Sequence, residues 1–517
     1  MKRLVALFGA LALLTAATAA WAQVSDTLVY GTTDKVTDMD PASAYDFHTW
    51  EIFQNVSSGL LAYTPGTTDI VPGLATGYTV NKAGDEYTFT LRKGLKFSNG
   101  NPFNAQAVKW NIDRVAALKG DPAALVTNYV KSVEVVDDNT VRFHLTGPIA
   151  FFNSLVATPT YFPMDPSVYP VDKIVKDVGE LNGGEIAALG PYNLTSFKRD
   201  EQAVFEANPN YYGKQPPIKK IIIRYFADAT TLRLSLEKGE IDLAFKSMNP
   251  SDITDLTKSD KYTAVKVPGP QIRYLCFETS ESVFKDKKLR QAVAALINRP
   301  EINQKVYLGE NAPLYSMIPM GMSYHRDDFK GVWGDGNVAA ATKILTSIGY
   351  TADKPFEFDL WYTPSHYGDT EVNMAEVLKA QLEKAPLVKV NIKSAEWATY
   401  KQQYDQKQMP SYLLGWYPDY IDPDDYTNPF AGTEGSRGMG IFFSSPAWDA
   451  LFKQEAESAA PSVRNAAFAK LQRMWTDECM TVPIFQGNLY VFSKKNVTGV
   501  KIGPTLIFNY DQLKFVK

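Results

Sequence analysis

Residues 221–245 narrow the folds open to this chain more than any other segment. Residues 221–226 are an apolar run broken only by Arg224, the pattern of a strand covered on both faces. Residues 230–238 then carry helical spacing that stops at Gly239, and residues 241–245 are a second short apolar run. A strand, a crossover helix and another strand in that order build a mixed α/β sheet. The order recurs: a strand at 273–277, a helix over 285–297 with Leu289, Val293 and Leu296 on one face, a strand at 356–362 and a helix at 371–384. Helices are expected at 446–458 and 461–476, each with proline near its first turn, and strands at 482–485 and 489–492.

The amino-terminal half reads differently. Residues 27–33 are a strand, followed by the turn-rich Asp38-Met39-Asp40-Pro41 and an aromatic stretch. Residues 86–92 alternate as a half-buried strand. Asn104 is placed to cap a helix over 105–118, with Val108, Ile112 and Val115 on one face. Residues 132–136 and 140–145 form a hairpin through Asp137-Asp138-Asn139. No internal repeat and no low-complexity linker is present. Strand signals on both sides of a long insertion imply domains that the chain crosses several times.

The first residues bear on location. Lys2 and Arg3 precede an apolar run over 4–20, and Ala20-Trp21-Ala22 places small residues at cleavage positions. This is the pattern of a secretory signal peptide, cleaved after Ala22 to leave Gln23. The alternative is a membrane anchor, for which 17 residues are short. No cysteine follows to carry a lipid, so a free periplasmic protein of a two-membrane bacterium is expected. A length of 517 suggests about three domains at ~150 residues each. The net charge of −4 argues against nucleic acid or an anionic membrane as partner. Twenty-eight Tyr, 28 Phe and nine Trp suit a ligand cavity lined with rings. Cys276 and Cys479 are the two cysteines, and an oxidising compartment permits a bridge between them or two buried thiols that never meet.

Residues 86–115, EYTFTLRKGLKFSNGNPFNAQAVKWNIDRV, resemble the signature of the bacterial extracellular solute-binding proteins, family 5. The matching residues are Leu91-Arg92-Lys93-Gly94-Leu95-Lys96-Phe97, then Gly100 and Pro102-Phe103. Further blocks follow in the family's order: Gly190-Pro191-Tyr192 with Asn208-Pro209-Asn210-Tyr211-Tyr212, the LEKGEID turn at 236–242, Leu289-Arg290-Gln291-Ala292 through Arg299-Pro300-Glu301, and Gly415-Trp416-Tyr417-Pro418-Asp419.

The resemblance implies a periplasmic binding protein fold: α/β, two lobes with mixed sheets joined by hinge strands, and three domains. Lobe I takes 23–62, 189–272 and 487–517; an inserted domain takes 63–188; lobe II takes 273–486. Hinges are expected near 268–274 and 485–490. It also implies a monomer that captures a small ligand, foremost a short peptide, and hands it to an inner-membrane ABC permease without a cofactor, metal or catalytic residue. An oligosaccharide, an opine-like compound or a nickel chelate is the alternative cargo. A periplasmic hydrolase is the remote one. No Gly-x-Ser-x-Gly, His-Glu-x-x-His, P-loop or Cys-x-x-Cys motif supports it, and His48, His144, His325 and His366 lack metal-ligand spacing.

Asp419 is the leading ligand-binding candidate. In peptide-binding relatives the Asp of a Trp-x-x-Asp segment meets the α-amino group, and an ammonium leaving water needs a carboxylate. The alternative is a turn residue beside Pro418. Trp416 offers a flat face for an ammonium or an apolar group, or else packs in the core. Tyr417 and Tyr420 are weaker versions of the same expectation. Tyr45, Phe47 and Trp50 follow the first strand, where open α/β sheets place ligand loops. Arg437 is placed either to clamp a carboxylate or to sit solvated in its loop. Asp422, Asp424 and Asp425 are expected as surface turn and cap residues.

Overall fold

A computed structural model describes residues 26–246, 248–364, 366–368 and 370–516. The proposed signal peptide lies outside the described residues. Among them, an 11-stranded mixed sheet runs through the whole molecule. Along it lie Val388–Ser394, Phe356–Tyr362, Ser411–Trp416, Tyr262–Phe277, Thr481–Lys494, Leu243–Phe245, Thr27–Thr32, Lys220–Tyr225, Gln202–Ala207 and Tyr192–Lys198, with Ala312–Pro313 added on Thr481–Lys494. Thr27–Thr32 runs parallel to Lys220–Tyr225, with Leu28 opposite Ile221, and parallel to Leu243–Phe245 on its other side. The crossover helix Ala229–Glu237 is capped by Asp228, whose side chain accepts from Thr231 N. The β-α-β order of 221–245 is thus realised, and Ile221, Ile223, Leu243 and Phe245 are fully buried.

Two apolar cores divide the sheet. The first gathers Leu28, Tyr30, Phe53, Ile221, Phe245, Val491, Phe508 and Tyr510. The second gathers Ile272, Tyr274, Leu289, Val293, Leu360, Leu378, Tyr412, Trp475 and Ile484. Only the long strands Tyr262–Phe277 and Thr481–Lys494 serve both. They pair antiparallel as Tyr262 to Pro268 with Lys494 to Asn488, lose register between Pro268 and Ile272, then resume with Ile272 opposite Gln486. Pro268 and Pro270 have no N–H to give, so the ladder weakens there of necessity. Gln486 spans the gap: its amide donates to Gly269 O at 2.8 Å and accepts from Met320 N at 2.7 Å. The strands expected separately at 482–485 and 489–492 are therefore one, and 273–277 is the end of a longer one.

A second sheet of four strands, Ala75–Val80, Glu86–Leu91, Thr140–Leu145 and Val130–Asp137, adjoins the first core. Asn104 caps the helix Ala105–Leu118 as expected, accepting from Ala107 N, and Val108, Ile112 and Val115 are buried beneath it. Arg114 of this helix makes a two-pronged bond to Asp40, at 2.7 and 2.6 Å, and Asp40 also accepts from Ala42 N and Val175 N. Both side chains are out of solvent.

The cysteines are free and buried. Cys276 faces Thr481 across the strand pair, while Cys479 caps the helix Pro461–Glu478 with φ 50° and donates to Thr476 O.

Two outcomes follow from this packing. Asp40→Ala leaves a buried guanidinium unpaired and should cost about 3–5 kcal/mol, read as a lower urea midpoint. Unfolding without reductant in the presence of an alkylating agent should add two adducts by intact mass, and an unmodified chain would show a bridge.

Candidate functional site

The strands Phe356–Tyr362, Val388–Ser394 and Ser411–Trp416 run parallel, so their carboxyl ends share one edge of the second half. Ligands of open α/β sheets bind outside such an edge. Residues 417–425 leave from it. Asp425 folds this segment back on itself: one carboxylate oxygen accepts from Trp416 Nε1 at 3.1 Å and from Asp419 N at 2.9 Å. Asp422 caps the short turn Pro423–Tyr426 by accepting from Asp424 N at 2.9 Å. It also takes both prongs of Arg464, at 2.8 and 2.5 Å. Arg464 bonds Glu455 as well, at 2.7 Å. Tyr420 donates its hydroxyl to Asp424 at 2.8 Å.

Asp422, Asp424 and Asp425 are therefore buried, at 8%, 1% and 1% exposure, and not on the surface as the turn-rich sequence suggested. Asp422 is a cap as expected, but the helix Pro461–Glu478 brings Arg464 over it from 42 residues away. Asp422, Asp424 and Glu455 gather around the guanidinium of Arg464, while Asp419 and Asp425 face each other further along the segment. Burial pushes the carboxyls of Asp424, Asp425 and Glu455 up, reinforced at Asp425 by Asp419 and at Glu455 by Asp424. Asp424 and Glu455 also share a side-chain hydrogen bond, so a proton held between them relieves their like charge.

Asp419 sits where this segment meets the first half. It lines a narrow cleft of about 40 Å³, partly open to solvent, together with Phe47, Trp50, Gln54, Pro418, Tyr420 and Thr505. Burial raises its carboxyl from the ordinary 3.8 to about 6, against the opposing pull of a hydrogen bond from Tyr45. The cleft walls touch through rings. Phe47, first residue of the helix Phe47–Val56, meets Tyr417 with centroids 4.9 Å apart, and Tyr420 stacks on Phe151 at 4.9 Å. Ser154 Oγ donates to Ile421 O at 3.0 Å, so the insertion also reaches the second half.

The structure thus brings Asp419, Tyr417, Tyr420, Tyr45, Phe47 and Trp50 together. Trp50 is 8% exposed and spends its indole N–H on Ala44 O, so it backs the wall more than it faces the opening. Trp416 holds Asp425 and packs edge-on against Phe430, outside the cleft lining. Arg437 lies on the short helix Thr433–Gly438, exposed and paired with Glu434 at 3.3 Å, away from this wall. A neighbouring group in the first half went unnoticed in the sequence. Lys246 adopts φ 65° just after the strand Leu243–Phe245, bonds Asp34 at 2.7 Å and lies 3.8 Å from Glu51. Its place at a strand's carboxyl end was the available signal. Among the described residues, no group of three or more His, Cys, Asp or Glu is arranged to hold a metal ion.

The family model described as bacterial extracellular solute-binding proteins, family 5 Middle, matches residues 69–438. The chain belongs to that family. It is similar to the heme-binding protein A of Haemophilus influenzae, 26% identical over 96% of this chain and 93% of that one. It is 28% identical to the dipeptide-binding protein of Escherichia coli, over 86% of each. The periplasmic binding protein DppA from Helicobacter pylori in complex with peptide STSA superposes with a TM-score of 0.80 at 22% identity, covering 96% of this chain and 99% of that chain. That likeness shows a shared two-lobed fold. Members of this family are solute-binding transport proteins that work outside the cytoplasm.

The raised carboxyl of Asp419 fixes a sign. Its folded value, about 6, lies above the ordinary 3.8. Between those values the native state holds the extra proton, so this group's contribution to stability falls as pH rises. Compared with Asp419→Asn, wild type should lose stability from pH 4 to 6, at up to about 1.4 kcal/mol per unit. Ligand-free urea titrations of both proteins at several pH values measure this, and parallel curves would contradict it.

Proposed function

We propose that this chain captures a short peptide between its two halves and delivers it to an ABC permease. The observation that carries the proposal is the carboxyl of Asp419 in the cleft wall, held by a hydrogen bond from Tyr45. An ammonium entering the cleft has an ionised Asp419 as its partner there. Phe47 and Tyr420 line the cleft with rings suited to a cation or an apolar side chain, Tyr417 packs against Phe47, and Tyr45 bonds Asp419. The printed names of relatives that bind dipeptides, and the peptide held by the Helicobacter pylori protein, support the same cargo.

In this proposal the halves close about residues 268–274 and 485–490, where the paired strands lose register. Lobe I takes 23–62, 189–272 and 487–517, the insertion 63–188, and lobe II 273–486. The mature protein is a periplasmic monomer beginning at Gln23.

A panel of X-Ala and Ala-X dipeptides screened by thermal shift tests the cargo. Ligand at about 100 times its dissociation constant stabilises by about 2.7 kcal/mol. Silence across the panel with a response to sugars or metal chelates overturns the peptide reading. With a responding peptide, Asp419→Asn should bind more than about a hundredfold weaker by calorimetry. Binding within about threefold of wild type would show that Asp419 serves only its turn.

A further inference from the structure

Glu310 belongs to the second half of the molecule but spends its bonds on the first. It stands in the turn after the helix Arg299–Tyr307, where Leu308 and Gly309 take φ values of 54° and 83°. Ile302, Val306 and Tyr307 of that helix are part of the second core, so the turn moves with it. Asn303 fixes the turn, donating to Asn311 O at 2.8 Å and accepting from Asn311 N at 3.1 Å. From there Glu310 meets four residues of the first half. Lys266 donates to one carboxylate oxygen at 3.2 Å, the Tyr490 hydroxyl donates to the same oxygen, and Thr254 donates to the other at 3.2 Å. The Glu310 carbonyl accepts from Asn488 Nδ2 at 2.7 Å. Burial alone would raise this carboxyl, but the bonds from Tyr490 and Lys266 hold it below its ordinary 4.5, so it stays charged.

The face of the sheet on which these bonds lie decides what they do. Side chains alternate between faces along a strand. Leu489 and Val491 enter the first core with Trp50 and Phe53, whose helix Phe47–Val56 lines the cleft. Tyr490 and Phe492 point the other way, into a small third core with Leu232, Leu236 and Leu256. Lys266 pairs with Tyr490 across the strands, and Thr254 lies on Pro250–Lys258, the helix that carries Leu256. Glu310 therefore grips the strand pair from behind, on the face away from the cleft.

A hinge that opens on one face shuts on the other. Here the cleft face is closed: Phe47 meets Tyr417, Tyr420 stacks on Phe151 and Ser154 bonds Ile421 O. Opening it swings the back faces together. Glu310 already touches Tyr490 and Lys266, which leaves no slack for that motion, so its carboxylate must give up its place. Bonds made in one arrangement and lost in the other shift the population toward the first. We propose that Glu310 is a bridge at the back of the hinge that holds the halves in the closed arrangement, and so strengthens capture of every ligand by one common factor while touching none. This rests on the closure proposed above and names the residue that balances it.

The test titrates two dissimilar dipeptides from the responding panel into wild type and Glu310→Gln by calorimetry, with small-angle X-ray scattering of both proteins free and saturated. Glu310→Gln should bind both peptides about tenfold weaker, by the same factor. It should have a larger radius of gyration than wild type when free, and the same radius when saturated. Tyr490→Phe removes one donor and keeps the ring in its core, so it should move both readings in the same direction by less. It carries the test should Glu310→Gln not fold. A lower urea midpoint with unchanged radius and affinity shows a contact that only stabilises, and overturns the bridge. Tighter binding, or a loss that differs between the two peptides, overturns it as well. Should no dipeptide bind, peptide capture fails, and the ligand-free scattering still decides the bridge: equal radii overturn it.

Discussion

The antiparallel pairing of Tyr262–Phe277 with Thr481–Lys494 is the constraint on which everything else rests. Thr481–Lys494 is buried in the first core at one end and in the second at the other, while Tyr262–Phe277 is buried in the second and lays only Val265 and Val267 against the first. Backbone hydrogen bonds hold each half of the pair in place, and side chains seal each half into its own core. Between them lie Pro268, Gly269 and Pro270 opposite Gly487, a stretch poor in donors and in side-chain bulk. The sheet is continuous there in connection but not in register. Stiffness is concentrated at the ends and compliance in the middle, which is what two bodies on a shared backbone require.

The cleft owes its chemistry to a second device, the stacking of carboxylates behind residue 419. Arg464 and the caps satisfy part of that charge, and raised carboxyls absorb more by keeping their protons. Such a cluster is costly to bury without partners. Beside it the rings of Phe47 and Tyr417 meet 4.9 Å apart and join the two walls.

How much of this could be read from residues differs by element. Helices with a cap or a stop were legible: Asn104 announces its helix by side-chain chemistry that does not depend on the rest of the fold, and Gly239 marks the end of another. The buried strands of 221–245 were legible because burial on both faces leaves a continuous apolar run. The strands Gln202–Ala207, Tyr192–Lys198 and Val388–Ser394 were not, since polar residues interrupt them and neighbours distant in sequence supply their pairing. Asp419 was legible through its spacing from Trp416, but the burial of Asp422, Asp424 and Asp425 was not. Their local sequence is that of a surface turn, and only Arg464 and Glu455, arriving on later helices, enclose them.

One consequence concerns how such a protein diversifies. The bend that presents residue 419 is held by Asp425, which grips the Trp416 indole and the backbone of 419, and asks nothing of the 419 side chain. Under the proposed function, shape and selectivity are therefore written in different residues. Drift at 419 would then retune what is carried without unravelling the loop that displays it, whereas drift at 425 would forfeit both. A scaffold wired this way explores new cargo by single steps that stay folded.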